Sequence, residues 1–298
     1  MGRAINAVLV PPQAARFASL VGVDADRLVL NVAGWNKLVL LDRDRVFLFP
    51  RAAGGVEWFE REIAAYQALA QTGLTVVPRL LGRWEDPDIY PFPFAAVTRL
   101  RGETCAEPEA LTGQLGRAIA RWHELDPPAL AGARPPRHHD AAHHRWLRRA
   151  LDPATSAEAA AEAAGRLARP DRRPAWADRL AAAARLRPVL VHGDLHEDQL
   201  LAEGGRLTGI IDWETARVDH PFWDFDLGEW GTGLWRRRRR DFGALWARAW
   251  RPYATARGLD TDSGPLETAF RLRHALALLD DPGDPAVRGT IEEHLAQL

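Results

Sequence analysis

The sequence predicts an α+β fold in which a small lobe of antiparallel sheet and one long helix precedes a larger, mainly helical lobe. Three observations carry this reading. Short apolar runs separated by turn residues fill the first part of the chain, helical periodicity dominates beyond residue 102, and strand signals return briefly near 189–211.

Taken in order, residues 28–32, 38–41 and 46–49 are β-type runs separated by Gly34 and by Asp42-Arg43-Asp44, the pattern of a meander. Between 56 and 69 the apolar residues Val56, Phe59, Ile63, Tyr66 and Leu69 recur at helical spacing, and Gly73 closes the segment. Strand candidates at 80–84 and 94–98 flank a proline-rich turn. Beyond Gly102 the helical segments are 111–125, 141–151, 156–167 and 176–186. Apolar runs at 189–191, 200–201 and 207–211 then enclose a very polar loop before helices resume. The junction falls at 97–102, giving an N-terminal lobe of residues 1–99 and a C-terminal lobe of residues 100–298.

Bulk properties exclude several classes. A chain of 298 residues that is 47% hydrophobic can bury a full core. With a net charge of −1 and a pI near 6.8, no overall field draws in nucleic acid. Cys105 is the only cysteine, which excludes an internal disulfide or a cysteine-rich metal site and fits a reducing compartment. The apolar run in 1–10 is too short for a signal peptide and no later stretch has the length of a membrane span. The expectation is a cytoplasmic protein, monomeric or dimeric, that engages neither nucleic acid nor membrane. Lys37 is the only lysine among the basic residues.

The chemistry concentrates in Val189-Leu190-Val191-His192-Gly193-Asp194-Leu195-His196, followed by Gln199 and by Ile210-Ile211-Asp212-Trp213-Glu214. Phosphoryl transfer needs one carboxylate to orient the attacking hydroxyl and accept its proton, and separate oxygen ligands for Mg²⁺ on the phosphates. Asp194, in a loop after one apolar run, and Asp212, at the end of the next, can fill those roles. His192, Asp194, position 199 and Asp212 reproduce the order of the kinase signature His-x-Asp, amide ligand, metal aspartate.

The His-Gly-Asp-Leu-His block with Ile-Asp-Trp downstream resembles the aminoglycoside phosphotransferase family, small-molecule kinases with a protein-kinase-like two-lobed fold. Similar features occur in Gly34-Trp35-Asn36, Phe49-Pro50-Arg51, Glu62, Tyr90-Pro91-Phe92-Pro93 and Trp122-His123, so the resemblance spans most of the chain. It implies Asp194 as catalytic base, Gln199 and Asp212 as Mg²⁺ ligands, and Glu62 as the helix carboxylate paired with a basic nucleotide-binding residue. Thr98 and Leu100, at the junction, are nucleotide-binding candidates by the same resemblance. His192, His196 and Asp224 are read as supporting residues, with His192 bracing the loop by hydrogen bonding. Two positions depart from the family pattern. Gln199 stands where the family usually has asparagine, and Leu48 where a lysine or arginine is expected on the third strand. Arg51 or Lys37 must then supply the cation for ATP or GTP.

Other clusters have a functional and a bland reading. Glu214, Asp219, Asp224, Asp226 and Glu229, interleaved with Trp213, Phe222, Trp223, Phe225, Trp230 and Trp235, suit a cationic, amine-bearing ligand. Packing aromatics with capping carboxylates are the equal alternative. His138, His139, His143 and His144 read as a surface cluster before a zinc site, and Arg236 to Arg240 as a solvated face before a nucleic-acid contact. The resulting expectation is a phosphotransferase acting on a hydroxyl of an aminoglycoside, a macrolide or an amino alcohol. Its alternatives are a catalytically weak nucleotide-binding protein of the same fold and a helical interaction module.

Overall fold

The computed structural model describes residues 8–31, 36–104, 108–135, 140–225 and 242–280, together with 291, 295, 296 and 298. In chain order the elements are α1 (Pro11–Val21), β1 (Val29–Asn31), β2 (Lys37–Leu41), β3 (Arg45–Pro50), α2 (Val56–Leu69), β4 (Leu80–Trp84), β5 (Phe94–Thr98) and β6 (Glu103–Thr104). Next come α3 (Thr112–Trp122), α4 (Ala142–Ala150), α5 (Ser156–Arg166), α6 (Arg173–Ala184), β7 (Val189–Val191), β8 (Leu200–Glu203), β9 (Arg206–Ile210), β10 (Arg217–Asp219), α7 (Phe242–Arg257) and α8 (Gly264–Asp280).

By contact the chain forms two compact units interleaved in sequence. One comprises Met1–Leu111, Leu125–Ala133 and His192–Arg217; the other comprises Thr112–Glu124, Arg134–Val191 and Val218–Leu298. The pattern change near residue 100 is a single point, whereas contact returns 192–217 to the first unit. The cause is pairing: Glu103 and Thr104 of β6 oppose Ala202 and Leu201 of β8, and the Ile210 N–H donates to the Val76 carbonyl at 2.7 Å.

In the first unit five antiparallel strands lie in the order β1-β2-β3-β5-β4. Asp42-Arg43-Asp44 makes the expected turn, with the Asp42 N–H on the Arg45 carbonyl at 2.9 Å. Alternation along β3 sends Phe47 and Phe49 to one face, where both meet Phe17 of α1, at ring centroid distances of 5.1 and 5.5 Å. Burying each such ring contributes about 1.5–3 kcal/mol. Helix α1 is not among the elements that the sequence pattern predicts. Proline at the first helical positions is compatible with a helix start, and Gly22, at φ 64°, closes the helix in the left-handed region.

In the second unit α3 and α7 approach closely at Gly116, where a Cβ would lie 2.1 Å from the Ala249 carbonyl oxygen; only glycine permits that crossing. Trp122, Trp146 and Trp176 fill the interior. The aromatics once matched with a cationic ligand also pack: Trp213, Phe222, Trp223 and Phe225 are each 2% exposed or less, which removes their faces from any ligand. Their acidic and aromatic companions Asp226, Glu229, Trp230 and Trp235 lie outside the described residues, as do Arg236 to Arg240, His138 and His139. His144 is no part of a surface cluster: it is 1% exposed and packs on Trp223 at 5.7 Å, because α4 turns its apolar face, Trp146 and Leu147 included, inward. Among the described residues no helix is long and apolar enough to cross a membrane.

Candidate active site

Residues directly opposed in an antiparallel pair share a face, as do residues two apart on one strand. Lys37 of β2 opposes Pro50 of β3, and Val39 opposes Leu48. Lys37 therefore stands on the same sheet face as Leu48, displaced by one strand and two residues from the expected cation. Leu48, 4% exposed, is core.

The Lys37 ammonium reaches Glu62 Oε2 of α2 at 2.5 Å, Asp212 Oδ1 at 2.6 Å and Glu214 Oε2 at 3.2 Å. Tyr66, one turn along α2, donates its hydroxyl to Glu62 Oε1 at 2.7 Å. Asn36 Nδ2 donates to Glu214 Oε1 at 2.8 Å. Arg51 plays a different part: its Nε donates to the Lys37 carbonyl at 3.3 Å and its N–H to the Asn36 carbonyl at 2.8 Å, fixing the backbone that presents the lysine.

Asp212 adopts a left-handed conformation, φ 69° and ψ 57°, at the start of the 3-10 turn Trp213–Thr215. Aspartate tolerates this better than most residues, and such strain concentrates at functional sites. The turn sets Asp212 and Glu214 on the same cation. Burial alone would lower the Lys37 pKa, but Asp212, Glu62 and Glu214 outweigh it and hold the group well above its usual value, so it stays charged. Burial would likewise raise Asp212, yet Lys37 outweighs it and the carboxyl is lowered. For Glu62, burial dominates and the pKa is raised. One ammonium thus faces three carboxylates, and acceptor oxygens of Glu62, Asp212 and Glu214 lie within 4.8 Å of one another. Three carboxylates gathered on the Lys37 ammonium offer hard oxygen donors that fit a divalent ion such as Mg²⁺.

The loop after β7 carries His192, Gly193 and half-buried Asp194. His192 is fully buried, and because the Ile211 carbonyl can only accept, its Nε2 at 2.9 Å must donate. Gln199 is 5% exposed; its amide oxygen accepts from the His196 N–H at 3.4 Å, and its carbonyl accepts from the Ile211 N–H at 3.0 Å. His196 Nδ1 accepts from the Asp198 N–H at 3.3 Å. Thr98 closes β5, its hydroxyl accepting from the Arg79 N–H at 2.9 Å, and Leu100 is half-buried two residues on. Asp224 lies in the second unit, where Trp122 Nε1 and His123 Nε2 bind its Oδ2 at 2.8 and 3.0 Å.

The structure thus brings Lys37, Glu62 and Asp212 together and leaves Arg51 beside them. Glu214, read from sequence as one of several acids for a cationic ligand, belongs to this cluster. Its signal was local: two residues after Asp212, across a tight turn, both carboxylates can meet one partner.

A small antiparallel sheet beside helices, with a lysine bound to a helix glutamate and to an aspartate that follows a strand, defines a kinase-like phosphotransferase. Residues 29–270 match the family described as "Phosphotransferase enzyme family". Among solved structures, the macrolide 2′-phosphotransferase MphH from Brachybacterium faecium shares 21% identity at a TM-score of 0.58, covering 94% of this chain and 96% of its own. The ADP-bound aminoglycoside phosphotransferase APH(2″)-Ib gives 14% identity, a TM-score of 0.58 and coverage of 97% and 96%. The streptomycin–ATP complex of APH(2″)-IIa gives 14% identity, a TM-score of 0.55 and coverage of 97% of each chain. No curated protein matches the sequence. The chain belongs to the phosphotransferase enzyme family, and is a small-molecule kinase of the aminoglycoside phosphotransferase type.

Proposed function

We propose that the chain transfers the γ-phosphoryl group of ATP or GTP to a hydroxyl of a small, amine-bearing molecule of the aminoglycoside, macrolide or amino-alcohol type. The observation that carries this is the sharing of Lys37 among Glu62, Asp212 and Glu214. Solved neighbours of the same fold include an ADP complex and a streptomycin–ATP complex, which support the donor and acceptor classes.

Asp212 and Glu214 would hold Mg²⁺, which neutralises charge on the β- and γ-phosphates. Lys37 binds the phosphates while Glu62, itself held by Tyr66, keeps the ammonium in place. Asp194 orients the acceptor hydroxyl and takes its proton as the new phosphoester bond forms and the β–γ phosphoanhydride bond breaks, with ADP or GDP as the leaving group. Thr98 and Leu100 contact the nucleotide, and His192 and His196 support the loop.

The test is a mass-spectrometric screen of kanamycin, streptomycin, erythromycin and choline with ATP and with GTP. A product about 80 Da heavier, absent without Mg²⁺, is expected from phosphoryl addition. The loop hydrogen bond of the Gln199 amide favours a second reading, a weak nucleotide-binding protein. A Mg²⁺–nucleotide thermal shift with no product from any acceptor would establish it instead.

A further inference from the structure

Thr215 and Arg217 follow Asp212 and turn back on the loop that carries Asp194. The Thr215 hydroxyl donates to the His192 carbonyl at 2.7 Å, and the side chain is 5% exposed. Arg217 Nη1 donates to the Gly193 carbonyl at 3.4 Å and to the Thr215 carbonyl at 3.2 Å, with the residue 1% exposed. In the opposite direction, His192 Nε2 donates to the Ile211 carbonyl. Segments 192–193 and 211–217 are therefore cross-bonded from both sides.

The approach is close enough to dictate sequence. Gly193 has φ +83°, and a Cβ there would lie 2.1 Å from Arg217 Nη1 and 2.9 Å from the Thr215 carbonyl oxygen. Burying a guanidinium is costly, and a leucine would fill the same space without that cost. What leucine lacks is a donor aimed at the carbonyl of the residue before Asp194.

We infer that Thr215 and Arg217 are positioning residues, fixing the backbone ahead of Asp194 to the Asp212 turn so that base and metal ligand keep a set separation through turnover. This rests on Asp194 being the base. A misplacement of about 1 Å can cost on the order of 100-fold in rate, so a short bond from Thr215 to the His192 carbonyl at 2.7 Å, backed by the longer Arg217 contact to the next carbonyl at 3.4 Å, is a sufficient lever.

Amide hydrogen exchange on the intact chain reads the clamp without any acceptor. Thr215→Val, which keeps the shape and loses the donor, should raise exchange in 192–195 about tenfold or more, whereas Thr215→Ser should exchange as wild type. Turnover, followed with kanamycin and erythromycin as acceptors and as phosphate release to water, should show kcat of Thr215→Val down about 10–100-fold with the nucleotide KM within about twofold. Thr215→Ser should stay within about threefold, and Arg217→Lys, which keeps the charge but loses the planar fork, should fall between. In an Asp194→Asn background Thr215→Val should add little, because it acts through that carboxylate. Wild-type exchange at 192–195 in Thr215→Val, or Thr215→Ser failing as badly as valine, overturns the proposal. If Asp194→Asn turns over normally, the base assignment falls and the exchange result still decides the clamp. If Asp194→Asn is dead while Thr215→Val keeps wild-type kcat, the positioning role alone is wrong. Should Thr215→Val fail to fold, exchange and kcat in Thr215→Ser and Arg217→Lys decide between the same outcomes.

Discussion

Glu62 in the first unit and Asp224 in the second are both carboxylates of 1% exposure or less, and each accepts a hydrogen bond from an aromatic residue on a helix, Tyr66 and Trp122 respectively. Their surroundings differ. Asp224 is sealed: His123 donates from Nε2 to it and accepts at Nδ1 from the Tyr253 hydroxyl at 3.0 Å. Burial lowers the His123 pKa against the pull of Asp224 and raises that of Tyr253, so both partners are neutral near pH 7. Around Glu62 the count does not close, since Asp212 and Glu214 compete for the one ammonium and the Asp212 side chain is 39% exposed. Under the proposed function the satisfied, sealed Asp224 is assigned to stability and the unbalanced cluster with its one open member to ligand binding, a contrast that substitution can break.

The largest effect should come from Asp212→Ala. Removing the open carboxylate should reduce Mg²⁺-dependent turnover about 1,000-fold or more, with little change in melting temperature, because one of three mutually repelling charges is gone. A large loss of stability would place Asp212 with Asp224 and break the distinction.

Lys37→Ala ranks next, because it leaves Glu62, Asp212 and Glu214 facing one another without their cation. Nucleotide affinity should fall about 10–100-fold and stability should drop, with Mg²⁺ restoring part of that stability. Arg51→Ala should change nucleotide affinity less than about threefold, since its Nε and N–H hold the backbone that presents Lys37. Isothermal titration and melts with and without Mg²⁺ read both.

The sealed cluster should answer in the opposite way. Asp224→Ala should cost about 2–5 kcal/mol in denaturant unfolding, from the Trp122 and His123 donors left buried without their acceptor. The Mg²⁺ requirement of the folded fraction should not move. Tyr253→Phe, which removes one hydroxyl from the same chain of bonds, should cost about 1 kcal/mol.

Much of this contrast was legible in the chain, and the part that was not has a common cause. Helix α2 and strands β4, β5 and β7 fall where local pattern sets them, and the order His192, Asp194, position 199, Asp212, with the family resemblance it carries, pointed to a phosphotransferase. The identity of the cation was not readable, because whether Lys37 or Arg51 meets Glu62 depends on the β2–β3 register, which opposes Lys37 to Pro50. Glu214 was grouped with distant acids because composition cannot show that the left-handed Asp212 turns the chain back on Lys37. Helix α1 was not predicted at all, although proline at the first helical positions is compatible with a helix start.

The central claim is that the Lys37 cluster is where nucleotide and metal meet. Isothermal titration of ATP and GTP, with Mg²⁺ and then with excess EDTA, tests it directly in the wild type, Lys37→Ala and Asp224→Asn. At least one nucleotide should bind the wild type about tenfold or more tighter with Mg²⁺, Lys37→Ala should bind it about 10–100-fold more weakly with or without the metal, and Asp224→Asn should keep both the wild-type affinity and the Mg²⁺ gain below its melting temperature. Equal affinity with and without Mg²⁺, undiminished in Lys37→Ala, would contradict the account.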